Sequence, residues 1–141
     1  MEQELLSTLE ELGVGCIGFS PLAQGLLTSK YLKGVPENSR ARAEGSFQKE
    51  LLSEENLSRV RALNEIARGR GQTLAQMAIA WVLRDQRVTS ALIGARNVEQ
   101  LDDSLDAVKK LQFTDAELKE IDRYAQEGAI DLWKDAREGA A

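Results

Sequence analysis

The sequence contains no histidine. For these 141 residues by themselves, that excludes His-based metal ligation and every catalytic arrangement that depends on an imidazole. There is one cysteine, Cys16, so no disulfide can close within the chain, and its place in an apolar run reads as a small buried hydrophobe. Aromatic residues make up only 5% of the chain, there is no basic block, and the net charge of −5 comes from interspersed acids and bases. The stacking platforms and basic stripe of a nucleic-acid binder are therefore missing. No apolar run reaches the length of a membrane span and no signal peptide precedes the first helix, so the expectation is a cytoplasmic protein with neither nucleic acid nor membrane as partner.

What is present centres on the stretch from Val88 to Leu105 (VTSALIGARNVEQLDDSL). Val88, Ala91, Leu92 and Ile93 suit one buried strand. Gly94 and Ala95 follow, then Arg96. Asn97 opens a helical pattern in which Val98, Leu101, Leu105 and Val108 recur at three- and four-residue spacing. Asn97 with Gln100 three places on is close to a capping box. Strand, small-residue turn, Arg and helix N-terminus together outline an anion site: free N–H groups, a positive helix end and a bidentate fork. The same residues also read as an ordinary strand-to-helix connection with a surface arginine.

The remaining chain supplies elements around this stretch. Leu5, Leu6, Leu9 and Leu12 form a helical stripe that Gly13 ends, and Val14 to Phe19 reads as a buried strand. Its glycines leave room for a backbone or ligand to approach. Pro21 cannot continue a central strand, so Ser20 to Gly25 falls at a strand's C-terminal end, where parallel α/β folds place ligands; a plain turn reads equally well. Leu26 to Leu32 suits a short helix carrying Lys30 and Tyr31. Lys33 to Leu52 has weak periodicity and the length of a binding loop, and its Arg40 and Arg42 suit either a phosphate or solvent.

Ser53 caps a helix with Leu57, Val60, Leu63 and Ala67 inward, stopped by Gly69 and Gly71. Thr73 to Gln76 and Thr114 to Glu117 are capping boxes. The first opens a helix with Leu74, Met77, Ala78, Trp81 and Val82 on one face. The second opens a last helix with Leu118, Ile121 and Ala125 inward, ending at Gly128. Residues 129–141 form a tail that turns polar, with Trp133 available to pack back. The sum is a mostly helical α/β chain with two parallel strands, each needing neighbours it does not have. A closed (β/α)8 barrel needs about 250 residues, so residues 1–141 are expected to form a single partial-barrel domain.

Three runs carry a family resemblance. GVGCIGFSPLAQGLLTSKYLKG (Gly13 to Gly34) resembles the seventh-strand region of aldo-keto reductases. TLAQMAIAWVLRDQRV (Thr73 to Val88) and SALIGARNVEQLDDSLDAV (Ser90 to Val108) resemble the following helix and the eighth strand and helix of that barrel. The bacterial branch that includes glyceraldehyde-3-phosphate reductases, related to potassium-channel β subunits, is the most similar. The resemblance covers nearly the whole chain and less than half of the family's TIM barrel.

The resemblance implies an NADPH cofactor lying across the strand ends. It places Ser20, Pro21, Leu22, Ala23, Gln24 and Gly25 near the pyrophosphate and ribose. Lys30 and Arg40 fall on the loop over the cofactor. Gly94, Arg96 and Gln100 fall at the adenosine 2′-phosphate, with Asp103 and Ser104 where the family usually has Glu and Asn toward adenine. The family's catalytic Tyr, Asp, Lys and His lie in the first half of the barrel, so no catalytic residue is assigned here. Tyr31 and Tyr124 are expected to lie away from any strand end.

Three readings follow. The chain is the C-terminal part of an NADPH-dependent oxidoreductase, inactive alone; or a non-catalytic nucleotide-binding module; or a self-associating half-barrel without ligand. A homo-oligomer, a dimer, is expected, or else pairing with a complementary N-terminal half-barrel.

Overall fold

The structure is a computed structural model that describes residues 2–32 and 52–125. Arg40, Arg42, Gly128, Trp133 and the tail lie outside the described residues.

Helix α1 (Glu2–Glu11) leads into strand β1 (Cys16–Phe19). Gly13 takes φ +65° at the junction, and the Val14 N–H bonds back to the Leu9 carbonyl at 2.8 Å, so the chain leaves the helix in a left-handed turn. A left-handed turn over Ala23–Gly25 follows, then a 3-10 turn, Ser29–Tyr31, in place of the short α-helix expected over Leu26 to Leu32. Helices α2 (Glu54–Gly69) and α3 (Leu74–Val82) cross over to strand β2 (Val88–Leu92), which pairs with β1 in parallel. Helix α4 (Val98–Leu105), a 3-10 stretch (Asp106–Lys110) and helix α5 (Asp115–Tyr124) complete the described chain. Among the described residues, the sheet has two strands. No described helix is long and apolar enough to cross a membrane.

The caps fall where the side chains allow them. Ser53 accepts from the Asn56 N–H, and Thr73 and Thr114 form complete capping boxes with Gln76 and Glu117. The inward faces of α2 and α3 then meet: Leu57, Val60, Leu63 and Ala67 pack with Leu74 and Met77, and Ile121 of α5, Leu26 and Tyr31 close the same cluster. Trp81 is only partly buried and carries the Arg84 guanidinium 3.6 Å from its ring centroid. Cys16 is likewise half-buried rather than fully inside.

A buried arginine ties α2 to the start of α5. Arg70 is 5% exposed; it donates to Gln72 Oε1 at 2.9 Å and the Gln112 carbonyl at 3.0 Å, pairs with Glu117 at 2.7 Å, and lies 3.7 Å over the Phe113 ring. Lys110 Nζ returns a hydrogen bond to the Arg70 carbonyl at 2.6 Å.

The glycine of β1 makes room for protein. A Cβ on Gly18 would meet Val82 Cγ1 at 2.7 Å, so that glycine lets the end of α3 press onto the strand. The register shifts between Cys16 and Ile17, and Thr89 Oγ1 accepts the Cys16 N–H at 3.1 Å there.

The apolar stripe of α4 departs from the sequence expectation. Val98, Leu101, Leu105 and Val108 are all exposed, and the buried residues on this side are Ser104 and Ala107. Small side chains allow the close approach to α3, which turns the stripe away from it. Ile17, Phe19 and Leu92 of the strands are exposed as well.

Below β2, Asp85 grips Arg87 through both carboxylate oxygens, and Arg87 reaches Ser7 of α1 at 3.2 Å. Hydrogen bonds from Arg87 hold the Asp85 carboxyl well below the usual carboxylate range. Glu117 is also lowered, first by the Thr114 N–H and then by the Thr114 hydroxyl and Arg70. Groups whose pKa is depressed on folding contribute stability that is present above the ordinary carboxylate range and lost as pH falls through it. With no histidine, stability is expected to be flat between about pH 6 and 8 and to fall below about pH 5. Denaturant melts across that range would show this, and Asp85→Asn should flatten part of the acid limb.

Candidate functional site

The C-terminal end of β1 runs into a strained turn. Ser20, Ala23 and Gln24 have φ of 54°, 46° and 57°, the left-handed region that non-glycine residues seldom enter. Each such residue costs about 1–2 kcal/mol and persists only where its surroundings over-determine it. Here short bonds do so: Ala23 N–H to Ser20 O at 3.0 Å, Gly25 N–H to Leu22 O at 2.8 Å, and Thr28 Oγ1 to Gly25 O at 2.7 Å. The Thr28 hydroxyl also accepts the Lys30 N–H, and Lys30 Nζ sits 5.1 Å from the Tyr31 ring centroid.

The C-terminal end of β2 opens beside it. Asn97 caps α4, accepting the Gln100 N–H at 2.8 Å. The expected return bond reaches one residue further back: Gln100 Oε1 accepts the Arg96 N–H at 2.9 Å. That bond fixes the turn from Gly94 to Asn97 against the helix and leaves the Gln100 amide as a donor. The Arg96 side chain is exposed and has no ion pair among the described residues. Asp103 is held from α3, accepting from Gln76 Nε2 at 2.7 Å and from Thr73 Oγ1 at 3.4 Å. Ser104 is buried and donates its hydroxyl proton to the Gln100 carbonyl at 2.9 Å.

Both strand ends border one cavity of about 1200 Å³. Its walls include Ser20, Pro21, Leu22, Gln24 and Gly25 from the first turn, Lys30, and Gly94, Arg96, Gln100, Asp103 and Ser104 from the second. Residues nominated from sequences some 70 positions apart thus share one space. Ala23 is the described candidate that does not line it; its bonds shape the turn instead. Arg40 falls outside the described residues. The sequence reading missed Asn64 and Arg68 of α2 and Gln72, Thr73, Leu74 and Ala75 at the start of α3. The signal available was the four-residue spacing of Asn64 and Arg68 beside a core stripe whose phase was already legible.

Of the tyrosines, Tyr31 also borders the cavity, but it is 1% exposed and packed in the core cluster. Tyr124 packs against the same cluster from α5. No group of His, Cys, Asp or Glu among the described residues is placed to hold a metal ion.

The sequence model of the Aldo/keto reductase family matches residues 1–126. The chain belongs to this family. It is 50% identical over 134 residues to "L-glyceraldehyde 3-phosphate reductase" of Escherichia coli strain K12, and equally to the protein of that name in Escherichia coli O157:H7. Each alignment covers 92% of this chain and 39% of the relative, so the chain spans well under half the length of these reductases. A partial barrel is what such coverage leaves of an aldo/keto reductase: the family implies a (β/α)8 fold, and the described residues form two parallel strands with their helices. The unshielded faces of β1, β2 and α4 fit that description.

The cavity suits the cofactor that aldo/keto reductases generally use. Common small-ligand pockets measure about 300–1,000 Å³, and this one is large enough for an extended dinucleotide. Its lining offers cations and backbone turns on strand ends, the donor set that phosphates require.

Proposed function

We propose that this chain is the cofactor-binding part of an NADPH-dependent carbonyl oxidoreductase built on a (β/α)8 barrel, and that alone it binds NADPH weakly without reducing carbonyls. The observation that carries the reading is the convergence of the strained Ser20–Gly25 turn and the Arg96 turn on one cavity. Ser20 to Gly25 would hold the pyrophosphate and ribose, with Lys30 beside them; Arg40 lies outside the described residues. Gly94, Arg96 and Gln100 would take the 2′-phosphate, and Asp103 and Ser104 would lie toward adenine. Bound NADPH supplies the hydride; the residues here bind and orient it. The relatives' name points to a glyceraldehyde 3-phosphate as carbonyl substrate of the complete protein. A reducing cytoplasm suits both the free Cys16 thiol and a supply of NADPH.

The expected affinity is on the order of millimolar. A helix N-terminus contributes about 0.3–1 kcal/mol to an exposed anion, and a charge-assisted Arg pair about 1.5–3 kcal/mol. Arg96 is exposed, so the low end applies, and NADPH should bind about tenfold more tightly than NADH. Arg96→Ala should bring the two dissociation constants together, as read by ligand-observed NMR titration. Equal constants already in the wild-type chain would remove Arg96 from the site.

A second reading concerns assembly, and the exposed Phe19, Leu92 and α4 stripe favour it. On this reading the chain pairs with a second copy, or with a complementary N-terminal half-barrel, over those faces.

A further inference from the structure

We propose that the face of α2 bearing Asn64 and Arg68 is a further wall of the binding site, and that the Arg68 guanidinium pairs with a phosphate of the dinucleotide. This rests on the cofactor reading above and adds a residue to it. Asn64 and Arg68 lie one helical turn apart, each immediately after a buried core residue, Leu63 and Ala67. The core contacts therefore fix the rotation of α2 and carry both side chains to the cavity, which they line.

Arg68 is poised rather than committed. Its ion pair with Glu65 is long, at 3.5 Å, and both side chains are largely exposed, at 72% and 68%. Exposed pairs of this kind contribute little and are given up cheaply for a better anion. Arg70, two residues on, makes the contrast: it is buried and spends its donors on Gln72, two backbone carbonyls and Glu117.

The charge balance points the same way. The chain carries a net −5, yet the cations Lys30, Arg68 and Arg96 line this cavity against one acid, Asp103. The Asp103 carboxylate is itself partly neutralised by donors from Gln76 and Thr73. A cationic cavity in an acidic chain selects an anion. NADPH carries two separated anionic centres, the bridging diphosphate and the 2′-phosphate. Three cations drawn from three different elements match that distribution better than Arg96 alone.

The test compares the full wild-type chain with Arg68→Ala and Arg68→Lys in NMR titrations with NADPH and with NADH, at two salt concentrations. Arg68→Ala should weaken NADPH binding about threefold to tenfold and lower its salt dependence. Arg68→Lys should recover most of the loss, and the thermal melt should not change. An equal loss for NADH assigns the contact to the diphosphate; a loss confined to NADPH assigns it to the 2′-phosphate. If Arg68→Ala binds like wild type while Arg96→Ala does not, the α2 wall is overturned and the cofactor site stands. If wild type binds neither dinucleotide, both fall.

Discussion

The purified 141-residue chain is expected to show no NADPH-dependent reduction of glyceraldehyde 3-phosphate, or of any simple aldehyde, above a no-protein control. Carbonyl reduction needs a proton delivered to the carbonyl oxygen as hydride arrives at carbon. A positioned general acid is worth about 10²–10⁴-fold in rate, and near-attack positioning of the two reactants is worth more. The chain has no imidazole. Tyr31 sits against the cavity, but it is 1% exposed and belongs to the core cluster that includes Leu57, Val60 and Leu63. Tyr124 belongs to α5 and packs on the same core cluster. Neither is free to meet a substrate carbonyl over a nicotinamide. Following NADPH absorbance at high enzyme concentration settles this, and turnover that copurifies with the chain would refute it.

The chain is also expected to run as a dimer, at twice its 15.6 kDa mass. The two-stranded sheet leaves β1 and β2 each with one edge that pairs with nothing among the described residues, and isolated strand pairs are marginal in water. Phe19 and Ile17 are each 67% exposed on the strand. Val98, Leu101, Leu105 and Val108 are exposed as well, along α4 and the turn after it. Monomers seldom expose large apolar patches. A two-fold interface buries the same patch twice and needs no second sequence. Light scattering at high micromolar concentration should give the dimer mass. Phe19→Ser with Leu101→Ser should shift it toward monomer, and a wild-type monomer under those conditions would rule the dimer out.

The helices were legible in the sequence because their caps and stripes agree. Ser53, Thr73 and Thr114 each sit where a side-chain oxygen can take a free N–H, and the apolar positions that follow repeat at helical period. Leu57 through Ala67 went inward as the period required. The α4 stripe did not, because periodicity states only that one face is apolar, and not which neighbour will cover it. Two features of the cavity were readable for different reasons. The Ser20–Gly25 turn is marked by proline and glycine, and the Arg96 turn by a small-residue pair before an Asn cap. Their meeting was not readable locally, since it depends on the parallel register that sets Phe19 beside Leu92. The left-handed backbone at Ala23 and Gln24 had no signal, as neither residue type favours it. Arg68 carries no signal in the sequence beyond that of a cation in a helix's last turn; its place on the cavity wall comes from the packing of α2.

The most direct test of the cofactor site is a backbone amide NMR titration of the wild-type chain with NADPH. The predicted result is a saturable set of shifts, with a dissociation constant on the order of millimolar, confined to Ser20–Gly25 and Gly94–Ser104 and their neighbours on the cavity wall. Shifts scattered over the surface, shifts centred on the exposed α4 stripe, or no saturable shift at all would contradict it.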